Sequence, residues 1–95
     1  VDVGIGGATA ARVGQLLREL GARLQVFCVT HQPQVAATAH HHMLVTKHTD
    51  KTHTFSEVKA LKAPEKITEI ARMLGGLHIT DETRQHAEAL LLEHV

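Results

Sequence analysis

Asp2-Val3-Gly4-Ile5-Gly6-Gly7-Ala8-Thr9 sets three glycines immediately ahead of a helical pattern. A turn of this kind lets backbone N–H groups approach an anion at a helix N-terminus. Its spacing is neither a dinucleotide-binding fingerprint nor a phosphate-cradling loop with its lysine, so a tight strand-to-helix turn needing positive φ reads equally well. His31 follows the apolar run Leu24-Gln25-Val26-Phe27-Cys28-Val29 and would stand at the C-terminal end of a strand. Ligands of open α/β sheets bind just beyond such ends. A neutral imidazole there donates from one nitrogen and accepts with the other, which suits a phosphate or an attacking water. The plainer reading is a loop histidine that caps the turn through Gln32.

Nine histidines, three of them consecutive at His40-His41-His42, raise the question of a metal. Zinc asks for three or four converging ligands. On a strand His40 and His42 share a face while His41 points away. His86 and His94 are too far apart on one helix for a single ion, so no metal ligand is assigned and the histidines read as half-exposed hairpin residues. Cys28, inside the apolar run, reads as a small hydrophobe, not a nucleophile. Asp2 is the only carboxylate near both the glycine turn and a strand end. Glu57, Glu65, Glu69, Asp81, Glu82, Glu88 and Glu93 read as solvated faces or helix-start charges, and Lys47, Lys51, Lys59, Lys62 and Lys66 as solubilising.

These residues need elements to hold them. Val13, Leu16, Leu17 and Leu20 follow a helical stripe within Ala8 to Leu20, with Arg12 and Arg18 off it and Gly21 placed for a left-handed cap. The run 24–29 is nearly continuous and rich in β-formers, the pattern of a strand covered on both faces. Helix then buried strand is half of a βαβ unit, whose first strand would precede Val1; the chain would then be a fragment. Pro33 suits the first position of a short helical turn through Val35 and Ala36. His42–His48 and His53–Leu61, joined by a turn at 49–52, predict a β-hairpin. Pro64 opens a helix with the stripe Ile67, Ile70, Ala71 and Leu74, stopped by Gly75-Gly76. Thr80 caps a last helix that buries Ala87, Leu90 and Leu91. The expected fold is α/β: helix, buried strand, short helix, hairpin, two helices, in a single unit over residues 1–95.

Composition narrows the function. The 95 residues hold 43% hydrophobic side chains but no Trp, no Tyr and two Phe, so the core must be aliphatic and no stacking platform for bases exists. Ten cationic against ten acidic residues give zero formal charge, which excludes a general binder of the phosphate backbone. A lone cysteine forms no internal disulfide and fits a reducing compartment. No apolar run reaches the roughly 20 residues that cross a bilayer.

Asp2-Val3-Gly4-Ile5-Gly6-Gly7-Ala8-Thr9-Ala10, Val13-Gly14, Leu16-Leu17-Arg18-Glu19-Leu20, Gln25-Val26 and Cys28-Val29-Thr30-His31-Gln32-Pro33-Gln34-Val35-Ala36 together carry a family likeness. With His40-His41-His42, Val45-Thr46-Lys47 and Ala71-Arg72-Met73-Leu74-Gly75-Gly76, the sequence resembles the RecN family of bacterial DNA repair proteins over essentially its whole length. These are SMC-like ATPases of the ABC superfamily, with a nucleotide-binding head and a coiled-coil arm. The resemblance implies the C-terminal portion of a P-loop ATPase head lobe. Val3, Gly4, Ile5 and Gly6, running into Gly7, would form the D-loop that meets a partner head, and His31 would be the switch histidine of the H-loop, reaching the γ-phosphate. ATP and Mg2+ are the implied cofactors, with the Mg2+ ligands outside this chain.

The partners implied are the second head of a homodimer, an N-terminal head lobe, and DNA contacted through the full protein. No membrane is involved, and the location implied is cytoplasmic, with the nucleoid. The Walker A lysine loop, Q-loop, signature motif and Walker B Asp-Glu are absent from these residues, so the chain alone is expected to bind ATP poorly and not to hydrolyse it. Asp2 is not promoted to catalytic base, because the family's base would lie before Val1. Gly6 stands where many ABC proteins end the D-loop in an acidic residue. Two other classes stay open: a non-catalytic interaction domain and a histidine-rich metal-binding module.

Overall fold

Residues 6–94 are described by the structure, a computed structural model, as four helices and one hairpin. Helix α1 (Gly7–Gly21) starts from Gly6, whose backbone is extended at φ −80° and ψ 171°, and its first turn closes with Ala10 N–H donating to Gly6 O at 2.8 Å. Among the described glycines at this helix neither expected positive φ appears, and Gly4 lies outside the described residues. Gly6 needs no left-handed conformation, and Gly21 lies inside the helix, which ends through right-handed Ala22. The buried face of α1 also differs from the apolar stripe. Ala10 and Gly14 are buried, whereas Leu16 and Leu20 are exposed. Small residues four apart let another backbone come close, and α2 (Pro33–Ala36) takes that space.

The largest departure concerns 24–29. These residues join no ladder, and Leu24, Phe27 and Val29 are 61%, 75% and 91% exposed. The expected buried strand is therefore corrected to an exposed segment outside any sheet. A strand covered on both faces needs flanking strands, and among the described residues β1 and β2 pair only with each other. Cys28, expected inside hydrocarbon, is exposed for the same reason. Val29→Asp in the isolated chain is expected to change the unfolding free energy by less than about 0.5 kcal/mol, as surface substitutions do. Urea unfolding checks this, and a large loss would return the segment to a core.

The hairpin follows its alternation. β1 (Met43–Thr49) pairs antiparallel with β2 (Thr54–Ala60), Val45 opposite Val58 and His48 opposite Phe55. Asp50 organises the turn: its Oδ1 accepts from Thr52 N at 2.8 Å and His53 N at 2.6 Å. Those two backbone donors, Thr52 first, hold the Asp50 carboxyl below its usual range. An isolated two-stranded hairpin is marginal in water. Here Leu61 N extends the ladder by donating to His42 O at 2.9 Å, and Lys59 pairs with Glu65 in the first turn of α3 (Ala63–Gly75).

Glu65 also accepts from the Lys62 backbone N–H at 3.1 Å, which closes the α3 N-terminus, and Gly76 at φ 71° ends that helix. Thr80 caps α4 (Asp81–Leu92) by accepting from Thr83 N at 3.1 Å. α3 and α4 pack together, α2 leans on α3, and α1 packs on α2. The core is aliphatic, as composition requires: Ala37, Ile70, Ala71 and Ala87, flanked by Ile67, Met73, Leu74, Leu90 and Leu91. No helix among the described residues is long and apolar enough to cross a membrane.

Candidate functional site

Pro33 fixes the first residue of α2, and the backbone behind it is tightly bonded. Val35 N and Ala36 N donate to Gln32 O at 3.1 and 3.0 Å, and Ala37 N donates to Pro33 O at 2.9 Å. On the other side, Gln32 N donates to Thr30 Oγ1 at 2.9 Å, a bond that spans His31. His31 is thereby held at the head of a hydrogen-bonded turn, with its side chain exposed.

α2 runs alongside α1 in the same sense. A Cβ on Gly7 would sit 3.7 Å from Gln34 Nε2, and one on Gly14 would meet Gln34 O at 3.1 Å. Farther along, Arg18 Nη1 donates to Thr38 O at 2.7 Å. α2 and the residues after it thus track α1 from Gly7 toward Arg18, with His31 just ahead of α2. Val3, Gly4 and Ile5, expected with Gly6 and Gly7 to form the anion-facing turn, lie outside the described residues. Gly6 is exposed, so this end of α1 opens to solvent.

Sequence reasoning missed the residues that join the two helices. Arg18, which lies off the apolar stripe, is part-buried, its guanidinium donating to a carbonyl just after the α2 turn. Thr38 is buried and donates from Oγ1 to Val35 O at 2.7 Å. The readable signal was the pair Ala10 and Gly14, one turn apart, with Arg18 one turn further. Gln34 adds a buried amide oxygen that has no hydrogen-bond partner among the described residues beside this junction.

The histidine triplet does not come together as ligands. His40 and His41 are exposed and His42 is half-buried just before β1. Among the described residues no group of three or more His, Cys, Asp or Glu side chains is placed to hold a metal ion. Burial lowers the His42 pKa below its ordinary 6.5, the Glu69 carboxylate opposes that and Lys66 adds to it. The folded chain therefore binds fewer protons than the unfolded one between the two pKa values. Stability contributed by neutral His42 is complete above pH 6.5, declines as pH falls through 6.5 toward the folded value, and levels below it. His42→Asn is expected to remove that slope, which urea midpoints measured across this range will show.

Elsewhere, His48 Nε2 lies 3.0 Å from Glu57 Oε2 and its ring stacks on Phe55 at 5.1 Å, an exposed cross-strand cluster that braces the hairpin. A cavity of about 420 Å³ opens between Arg18, His40, Lys66, Ile67, Glu88 and Leu91. It lies toward the opposite end of α1 from the glycines, since roughly 16 Å of helix separates Gly7 from Arg18.

The chain is similar to a set of curated proteins. It is 50% identical over 92 residues to the DNA repair protein RecN of Vibrio cholerae, an overlap covering 97% of this chain and 17% of that protein. RecN of Xylella fastidiosa strain 9a5c is 53% identical over 93 residues, covering 98% and 17%. RecN of Bacillus subtilis is 40% identical over 91 residues, covering 96% and 16%. The chain thus spans about 17% of the length of the curated relatives it matches. No family model matches it. Over the stretch it spans, the chain belongs to the RecN family of DNA repair proteins.

Proposed function

We propose that this chain is part of an ATP-hydrolysing head of a DNA repair protein, in which His31 senses the γ-phosphate and the turn Val3–Gly7 meets a partner head. The observation that supports the reading is that His31 is exposed and held by backbone bonds just ahead of α2, whose Gln34 side chain lies 3.7 Å from a Cβ on Gly7. A histidine buried in hydrocarbon, or at the far end of α1, would have spoken against it.

An exposed imidazole offers one donor and one acceptor nitrogen, which fits a phosphate oxygen or the water that attacks it. Phosphoryl transfer asks a protein mainly for positioning and charge stabilisation, so one well-held donor is enough to matter. Among the described residues no three His, Cys, Asp or Glu side chains come together for a metal ion, and this reading assigns the Mg2+ ligands to residues outside the chain. When bound, that ion neutralises charge on the β- and γ-phosphates.

DNA contact falls to other parts of the longer protein, because zero formal charge gives this stretch no electrostatic pull on a phosphate backbone. The same reading gives a composite site completed by a second head, in the cytoplasm with the nucleoid. ATP turnover by the full-length protein with His31→Ala tests it; unchanged turnover leaves a non-catalytic interaction role in its place.

A further inference from the structure

We propose that Gly14, Arg18 and Thr38 form a clasp that sets the position of His31 relative to the glycine turn, and so act as positioning residues for ATP hydrolysis. This rests on the ATPase reading above. Each component is visible in the packing of α1 on α2. A Cβ at Gly14 would lie 2.6 Å from Thr38 Cγ2 and 3.1 Å from both Thr38 Oγ1 and Gln34 O. Only the absence of a side chain at residue 14 lets the two backbones approach this closely. Arg18, one turn on, draws the same residue in through Thr38 O at 2.7 Å.

Thr38 is coupled to His31 through a short and continuous set of bonds. Its Oγ1 and N–H both donate to Val35 O, at 2.7 and 3.1 Å, and Val35 N donates to Gln32 O at 3.1 Å. Gln32 N then closes on Thr30 Oγ1 across His31. A segment bonded this way shifts as one piece. Gly6 and Gly7 are continuous with α1 and His31 with α2, so the gap between them is fixed where the helices touch. A clash of 2.6 Å must open by about 1 Å to reach ordinary contact, and a misplacement of that size costs on the order of 10²-fold in rate.

The test uses the full-length protein and four variants. Gly14→Ala is expected to lower kcat about 10- to 100-fold while KM for ATP stays within about twofold, because the loss falls on the transition state and not on ground-state binding. Alanine is the better helix former, so helix propensity cannot cause the loss. Gly14→Ala with Thr38→Ser removes the clashing methyl, keeps the hydroxyl that bonds Val35, and should restore kcat to within about threefold. Arg18→Met keeps the stem and removes the donor, and is expected to lower kcat with the same unchanged KM; it carries the test if Gly14→Ala fails to fold. Full kcat in a folded Gly14→Ala or in Arg18→Met, or a double variant that regains thermal stability but not kcat, overturns the clasp while a slow His31→Ala leaves the ATPase reading standing. If His31→Ala is itself fully active, the reading fails and takes the clasp with it.

Discussion

His31→Ala in the full-length protein is expected to lower ATP turnover by about 10²–10³-fold, the loss seen when a single pre-positioned hydrogen-bond donor is removed from a charge-developing centre. The size follows from where the ring sits. His31 is exposed, so its removal opens no cavity, and backbone bonds among Thr30, Gln32, Val35 and Ala36 hold the turn around it. Substitutions at such surface positions change stability by no more than about 0.5 kcal/mol. The variant should therefore fold and bind partners normally, and any rate loss reports on chemistry. Steady-state turnover with saturating ATP, set beside the unfolding midpoint of the same preparation, separates the two effects. Turnover at the parent level, in a protein that still engages its partner head, would remove the histidine from the mechanism.

How much of this could be read from the sequence depended on which interactions are local. The hairpin was legible, to within a residue or two at each end, because two β-forming runs flank a turn that Asp50 makes from its own neighbours. Helices α3 and α4 were legible from Glu65, Gly76 and Thr80, whose capping bonds reach no further than four residues. The run 24–29 misled because an apolar β-forming stretch specifies a partner sheet without specifying where that sheet comes from. In this chain the flanking strands do not exist among the described residues, and Phe27 and Val29 face solvent.

The site divided along the same line. His31 was singled out from family likeness and from a strand end that the structure does not form, and nothing local says that Gly14 accepts Thr38 or that Arg18 turns inward. Those contacts join residues about twenty apart, and they depend on the path taken by the intervening loop.

Ile70→Ala should be the most damaging single truncation in the folded part of the chain, costing about 2–5 kcal/mol, the usual range for a buried isoleucine cut to alanine. Ile70 is the only large side chain that is fully buried among the described residues, and the core around it is built from Ala37, Ala71 and Ala87. Alanines have no rotamers with which to fill a hole, which pushes the cost toward the upper end of that range. Ile67, Met73 and the flanking leucines can lean inward, and a flexible methionine recovers part of the lost contact. Against a total stability of about 0.05–0.15 kcal/mol per residue, this truncation removes a large fraction of what holds the chain folded. Ile70→Val, which deletes one methyl, should cost only about 0.5–1.5 kcal/mol. Urea unfolding of the three proteins with an unchanged m-value gives the comparison directly. A cost for alanine no greater than that for valine would mean that Ile70 is not the centre of the core. Because Ala37 belongs to that core and lies just after the α2 turn, the alanine variant should lose activity only in proportion to the unfolded fraction. This sets it apart from His31→Ala, which slows a protein that stays folded.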